Sequence, residues 1–273
     1  MRRDILAAKG LRVAYGATIA LTILYVTLPS LVVIVTAFSD KALLMFPPTG
    51  FSLKWFGRAL SYEDFRKGMV NGLIITAWAS AIALVCGTLA AFAIERFEFA
   101  GKRTLEAVLL SPLVIPHFTL GIAMLIIASE IGLARTFSLV VACHVILVLP
   151  FVMRSVYVSL KNIDPVLERA AASLGASPFT VFMKVDLPLL APGLAGGWLF
   201  AAILSFNEFT ATLFVTGQRT QTLPVAMYTY VREYADPTMA AISSLLIVAT
   251  VLFLMAANRW LGLERILSIE SGR

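Results

Sequence analysis

Apolar residues in this chain are gathered into blocks, and the polar residues fall almost entirely between them. The blocks cover residues 14–38, 70–94, 105–129, 137–158, 187–213 and 238–261. Each supplies the roughly 20 apolar residues that a helix needs to cross a hydrocarbon core about 30 Å thick. The pattern predicts an all-α polytopic membrane protein with six transmembrane helices. It places a single membrane domain over 14–261, after a basic lead at 1–13 and before a short tail at 262–273. The first block is too long for a signal peptide and lacks a small-residue cleavage site, so it reads as a retained helix.

One polar segment breaks this rhythm. Residues 161–188 carry two sets of helix-start signals around a stop. Asp164-Pro165 is an N-cap and first-turn pair, and the helix it opens places Leu167, Ala170, Ala171 and Leu174 on one stripe. Gly175 then supplies the residue that enters a left-handed C′ conformation without a Cβ penalty, and Ser177-Pro178 opens a second helix. Two short helices around a glycine turn are expected. The bare surface at Ala170 and Ala171 permits close approach by another chain, although an ordinary amphipathic loop helix would share the stripe.

Composition and charge set the environment and the orientation. Hydrophobic residues make up 59% of the chain and charged residues 14%, against about 25% charged in soluble domains; mean hydropathy is +0.89. With both termini inside, 14 Lys and Arg fall on the inner side and eight on the outer side. The positive-inside rule therefore gives N-in, C-in, with 161–188 in the cytoplasm. The net charge of +6 comes from residues flanking the spans, so it gives no reason to expect a nucleic-acid partner. Cys86 and Cys143 fall inside spans and read as small packing residues without a disulfide.

Candidate chemistry is sparse. The chain has no HExxH, GxSxG or GxxxxGK[ST] motif, and its two histidines, His117 and His144, lie in different spans, where helix packing is their ordinary role. No catalytic site, metal site or cofactor of its own is expected, so any ATP-driven step needs a separate ATPase. The first outer loop, with Trp55 and Phe56 among Lys and Arg, suits an interfacial helix. The fifth block carries Ser205, Asn207, Glu208, Thr210 and Thr212. Read as one continuous helix, it pairs Asn207 with Thr210 and Glu208 with Thr212 on adjacent faces. An ionised acid facing lipid is disfavoured by about 2.5–3.5 kcal/mol, so Glu208 should face protein or a wet cavity. It either bonds a neighbouring span or lines a solute path.

The 161–188 segment resembles the cytoplasmic coupling loop of bacterial ABC importer permeases, whose motif runs EAA, three residues, G, nine residues, I-x-L-P. Ala170, Ala171 and Gly175 match, and the motif ends on Val185-Asp186-Leu187-Pro188; its glutamate position holds Arg169, with Glu168 one residue earlier. The resemblance implies a type I ABC importer permease-like fold in a bacterial inner membrane. It also implies that Glu168, Arg169, Ala170, Ala171, Leu174, Gly175, Leu187 and Pro188 form the ATPase-coupling surface. Residues 204–217 and the segment after them look like the polyamine (spermidine/putrescine) branch, in which adjacent aspartates stand where this chain has Asn207-Glu208. Opines, amino-acid derivatives, phosphonates and ferric iron remain open as solutes. The expected partners are two copies of an ATPase subunit carrying ATP and Mg, a second, non-identical permease, and an extracytoplasmic solute-binding protein. The competing class is an ATP-independent secondary transporter or channel using Glu208 with His117 and His144.

Overall fold

In a computed structural model, the structure describes residues 2–43 and 45–261; the predicted tail at 262–273 lies outside them. The described residues form twelve α-helices and no strand. Helix α1 (Arg2–Ala37) starts inside the basic lead and runs through the first span, with Pro29 within it. Helix α2 (Lys54–Ser61) forms where the sequence suggests a helix in the outer loop. The second span is α3 (Glu63–Arg96), the fourth is α6 (Phe137–Lys161), and the sixth is α12 (Thr238–Leu261).

Two spans depart from the sequence reading. The block at 105–129 is not one helix. It comprises α4 (Lys102–Leu110), a 3₁₀ turn over Ser111–Leu113 and α5 (His117–Glu130), and the axis bends by 106° at the break. Pro112 and Pro116 explain this: each lacks an N–H to donate to the turn before it, and Pro116 also disfavours α geometry at Ile115. Five helices are thus long and apolar enough to cross a membrane, or six if the bent pair counts as one span. The fifth block also stops early. Helix α9 (Leu187–Asn207) ends before Glu208, whose backbone is extended (φ −68°, ψ 120°), and a separate turn of helix, α10 (Thr212–Val215), follows. The adjacent faces expected from one helix over 205–212 therefore do not form. Helix α11 (Leu223–Glu233), not anticipated from the apolar blocks, precedes α12.

By their packing the described residues divide into two units, one from 2–62 with 230–253 and the other from 63–229 with 254–261. In the first, α2 is anchored by Trp55, whose indole N–H donates to the Ser39 carbonyl at 2.7 Å, and by Arg58, which pairs with Asp236 at 3.0 Å. The aliphatic side chains of α1 from Leu11 to Leu28 are largely exposed, as suits a helix with lipid for solvent.

The second unit holds the core. Helices α3, α6 and α9 pack through Ala83, Ala91, Val148, Val152, Val156, Leu190 and Ala201. Small residues let these helices approach closely, and the Ser155 hydroxyl donates to the Gly193 carbonyl at 2.8 Å across the α6–α9 contact. A second cluster, with Ile75, Val140, Cys143, Leu147, Ala211 and Val215, joins α3, α6 and α10. Cys143 is buried there as expected, whereas Cys86 is exposed and packs no core.

Candidate coupling loop and intramembrane site

The polar segment folds as its local signals dictate. The Asp164 carboxylate accepts the Val166 N–H at 2.9 Å, Pro165 opens α7 (Pro165–Ser173), and Gly175 sits at φ +86°. Ala176 N–H donates to the Ala171 carbonyl at 3.1 Å and Gly175 N–H to the Ala172 carbonyl at 2.9 Å, which is the paired closure of a Schellman stop. Ser177 then caps α8 (Pro178–Val181) by accepting the Thr180 N–H at 3.3 Å. Leu174, at the apex, is 90% exposed. Leu167, Arg169 and Ala170 are exposed as well, and Ala171 is half-buried.

Glu168 does not share that outward face. Its carboxylate pairs with the Arg96 guanidinium at the end of α3, in a contact that leaves the two side chains 25% and 17% exposed. The buried Asp186 carboxyl lies beside this pair. The one-residue offset from the motif's glutamate position therefore gives Glu168 an anchoring contact within the chain and leaves Arg169 facing outward.

Beyond α8 the chain does not break. A π-helical turn over Phe182–Asp186 leads directly into α9, so one rod of 30 residues runs from Pro178 to Asn207. Pro188 accounts for the wide turn: it has no N–H to donate and its ring crowds the preceding turn, which a π bulge relieves. Leu187 and Pro188 thus lie on the rod itself, half-buried and exposed respectively.

At the far end of that rod is Glu208. Its Oε1 accepts the Ala211 N–H at 2.7 Å, which fixes the break between α9 and α10, and its Oε2 lies 2.9 Å from His117 Nδ1. His117 is the first residue of α5, so each member of the pair stands at a helix break. Discontinuous helices that meet inside the membrane expose polar groups where continuous ones would not. The approach of α5 to this break is close: a Cβ on Gly121 would lie 2.7 Å from the Ala211 carbonyl oxygen.

His144 holds a second, enclosed network. Its Nδ1 is 2.8 Å from Ser205 Oγ and its Nε2 is 2.9 Å from Thr212 Oγ1, and all three side chains are buried. This is the helix-packing role expected for a span histidine. A small, partly open cleft of about 50 Å³ is lined by His117, His144, Leu147, Phe151, Ser205 and Glu208 among others. Of the five residues proposed from the sequence to line a solute path, Ser205 and Glu208 therefore reach the cleft. Asn207 turns back to donate to the Ile203 carbonyl at 2.8 Å, Thr210 is exposed, and Thr212 is locked to His144. The sequence groups His117 with Glu208 only as part of the set that an ATP-independent transporter would use; their direct contact, across 91 residues, has no signal in it.

Comparison with known proteins agrees with this architecture. A family model described as "Binding-protein-dependent transport system inner membrane component" matches residues 83–262. The spermidine/putrescine transport system permease protein PotC of Escherichia coli K12 is 28% identical over 86% of this chain and 88% of its own length. A putative 2-aminoethylphosphonate transport system permease protein, PhnV of Salmonella choleraesuis, is 30% identical over 93% of this chain and 97% of its own. The fold matches a chain of the bacterial alginate ABC transporter, crystallised in complex with an alginate pentasaccharide-bound periplasmic protein. That match has a TM-score of 0.72 at 16% identity and covers 94% of this chain and 95% of the other. With its apolar helices, its capped polar loop and a family match over most of its length, the chain belongs to the binding-protein-dependent transport system inner membrane components and is a multi-pass inner-membrane permease of the ABC importer type.

Proposed function

We propose that this permease forms half of a solute pathway for amine-bearing solutes, polyamines foremost, and that residues 165–185 couple it to a separate ATPase. The observation that carries the coupling reading is mechanical continuity. An exposed apex at Leu174 is tied to α3 through Glu168 and Arg96, and it leads into an unbroken rod that ends at Glu208. Movement imposed on the apex by an ATPase closing around ATP and Mg would be carried along that rod to the intramembrane carboxylate, the bistable element that alternating access requires. The remaining partners, a second, non-identical permease and an extracytoplasmic binding protein, follow from the same reading.

The solute class rests on Glu208 and on what the relatives' names share. Putrescine, spermidine and 2-aminoethylphosphonate all carry a primary ammonium, and a carboxylate lining a cleft is the group that would hold it. The test is putrescine uptake by the reconstituted complex. Uptake that stops on ATP depletion but survives a protonophore at constant ATP supports the importer mechanism. Uptake that collapses with the protonophore alone favours the secondary transporter using Glu208.

A further inference from the structure

Glu208 is already occupied. One carboxylate oxygen takes the Ala211 N–H and the other takes His117 Nδ1, so both lobes of the carboxylate are engaged. The two residues differ in access: the Glu208 side chain is 11% exposed and His117 is 45% exposed. The imidazole thus forms the outer layer over the acid.

Among the described residues, Glu208 is the only acid that lines the cleft, and His117 is the basic side chain bonded to it. The cleft's other lining residues are Leu147, Val148, Phe151 and Leu204, together with Ser205 and His144, which are bonded to each other. The titratable groups that α6 turns toward Glu208 are Cys143 and His144, both buried. No Lys or Arg lines the cleft among the described residues.

We propose that His117 is the resting counter-ion of Glu208 and that a solute ammonium must displace it to bind. This rests on the amine reading given above, and it makes His117 a specificity-determining residue of the pathway. Displacing a neutral imidazole breaks one hydrogen bond. Displacing an imidazolium breaks a charge-assisted pair, which is roughly twice as strong. Solute affinity is therefore lower where the imidazole is protonated than where it is neutral, so binding to wild type slopes with pH and the slope belongs to His117. Full competition by one proton weakens binding by up to about tenfold per pH unit once the ring is protonated.

The experiment is equilibrium binding of putrescine, and separately of 2-aminoethylphosphonate, to the nanodisc-reconstituted complex of this chain with its partner permease and ATPase, without binding protein. Wild type should show the pH slope. H117Q should bind with the slope removed, and comparing the two cancels any titration of the solute itself. E208Q should lose binding at every pH. A wild type that binds with no slope, or an H117Q variant that keeps the full slope, overturns displacement and leaves the amine reading standing. Retained binding in E208Q overturns Glu208 as the site. Failure of both amines to bind wild type at any pH removes the amine reading, and displacement with it.

Discussion

The proposed coupling loop and the Glu208 site stand at opposite ends of one helical rod, yet they are built in opposite ways. Every turn of the loop is closed by residues within a few positions of one another: Asp164 on Val166, Gly175 on Ala172, Ser177 on Thr180. The Glu208 site joins α5, α6, α9 and α10, and its key contact spans 91 residues. Local construction leaves the loop's face free for another chain. Long-range construction hides polar atoms from lipid and shapes a cleft, because in a bilayer each unpaired polar group costs several kcal/mol. The difference teaches that this permease exposes its self-sufficient part and assembles its chemical part from pieces that helix motion can rearrange.

Substitutions can break that contrast at either end. The largest effect is expected at Glu208. E208Q keeps the size of the side chain but removes its charge, and putrescine uptake by the complex should fall by more than tenfold while the chain still inserts; unchanged uptake would make Glu208 a packing residue. Next comes Gly175→Val. Nothing lies within 4 Å of a Cβ there, so the cost is the left-handed backbone alone, about 1–2 kcal/mol or more for a β-branched residue. The Schellman stop should open, and ATP hydrolysis should continue with uptake strongly reduced. Equal loss of both activities would mean that the loop binds the ATPase but does not transmit its motion.

Smaller effects probe how each end is held. R96E or E168R alone should lower uptake severalfold by freeing α7 from α3, and the double exchange should restore part of it, as a double-mutant cycle would detect. Additive losses would show that the pair is not a tether. Gly121→Ala would press a methyl against the Ala211 backbone, an overpacking cost of about 1–3 kcal/mol. A fall of a few degrees in melting temperature in detergent is expected, with more lost solute binding than lost coupling.

The same contrast decides what could be read before the fold was known. Asp164-Pro165, Gly175 and Ser177-Pro178 carry their meaning locally, so the loop's helices and turn were legible. Span existence was legible too, because hydropathy accumulates over about 20 residues. The breaks were not. Pro112 and Pro116 stand in an apolar stretch that reads as continuous when hydropathy alone is counted, and after Asn207 neither Gly nor Pro marks the end of α9. That end is set by the Glu208 carboxylate taking the Ala211 N–H and by His117 from another helix. The pairing of Glu168 with Arg96 was likewise invisible to motif spacing, since the motif counts positions along α7 and the partner lies on α3.

Docking of an ATPase on the exposed apex is what the proposed coupling requires. The decisive measurement is purification of the tagged chain from its native host in mild detergent, beside a Leu174→Asp variant, with the accompanying proteins identified by mass spectrometry. Wild type should bring down an ATPase subunit and a second multi-span permease, whereas L174D should keep the permease and lose the ATPase. A wild-type chain that emerges alone or only with copies of itself, or an L174D chain that retains the ATPase in full, would contradict it.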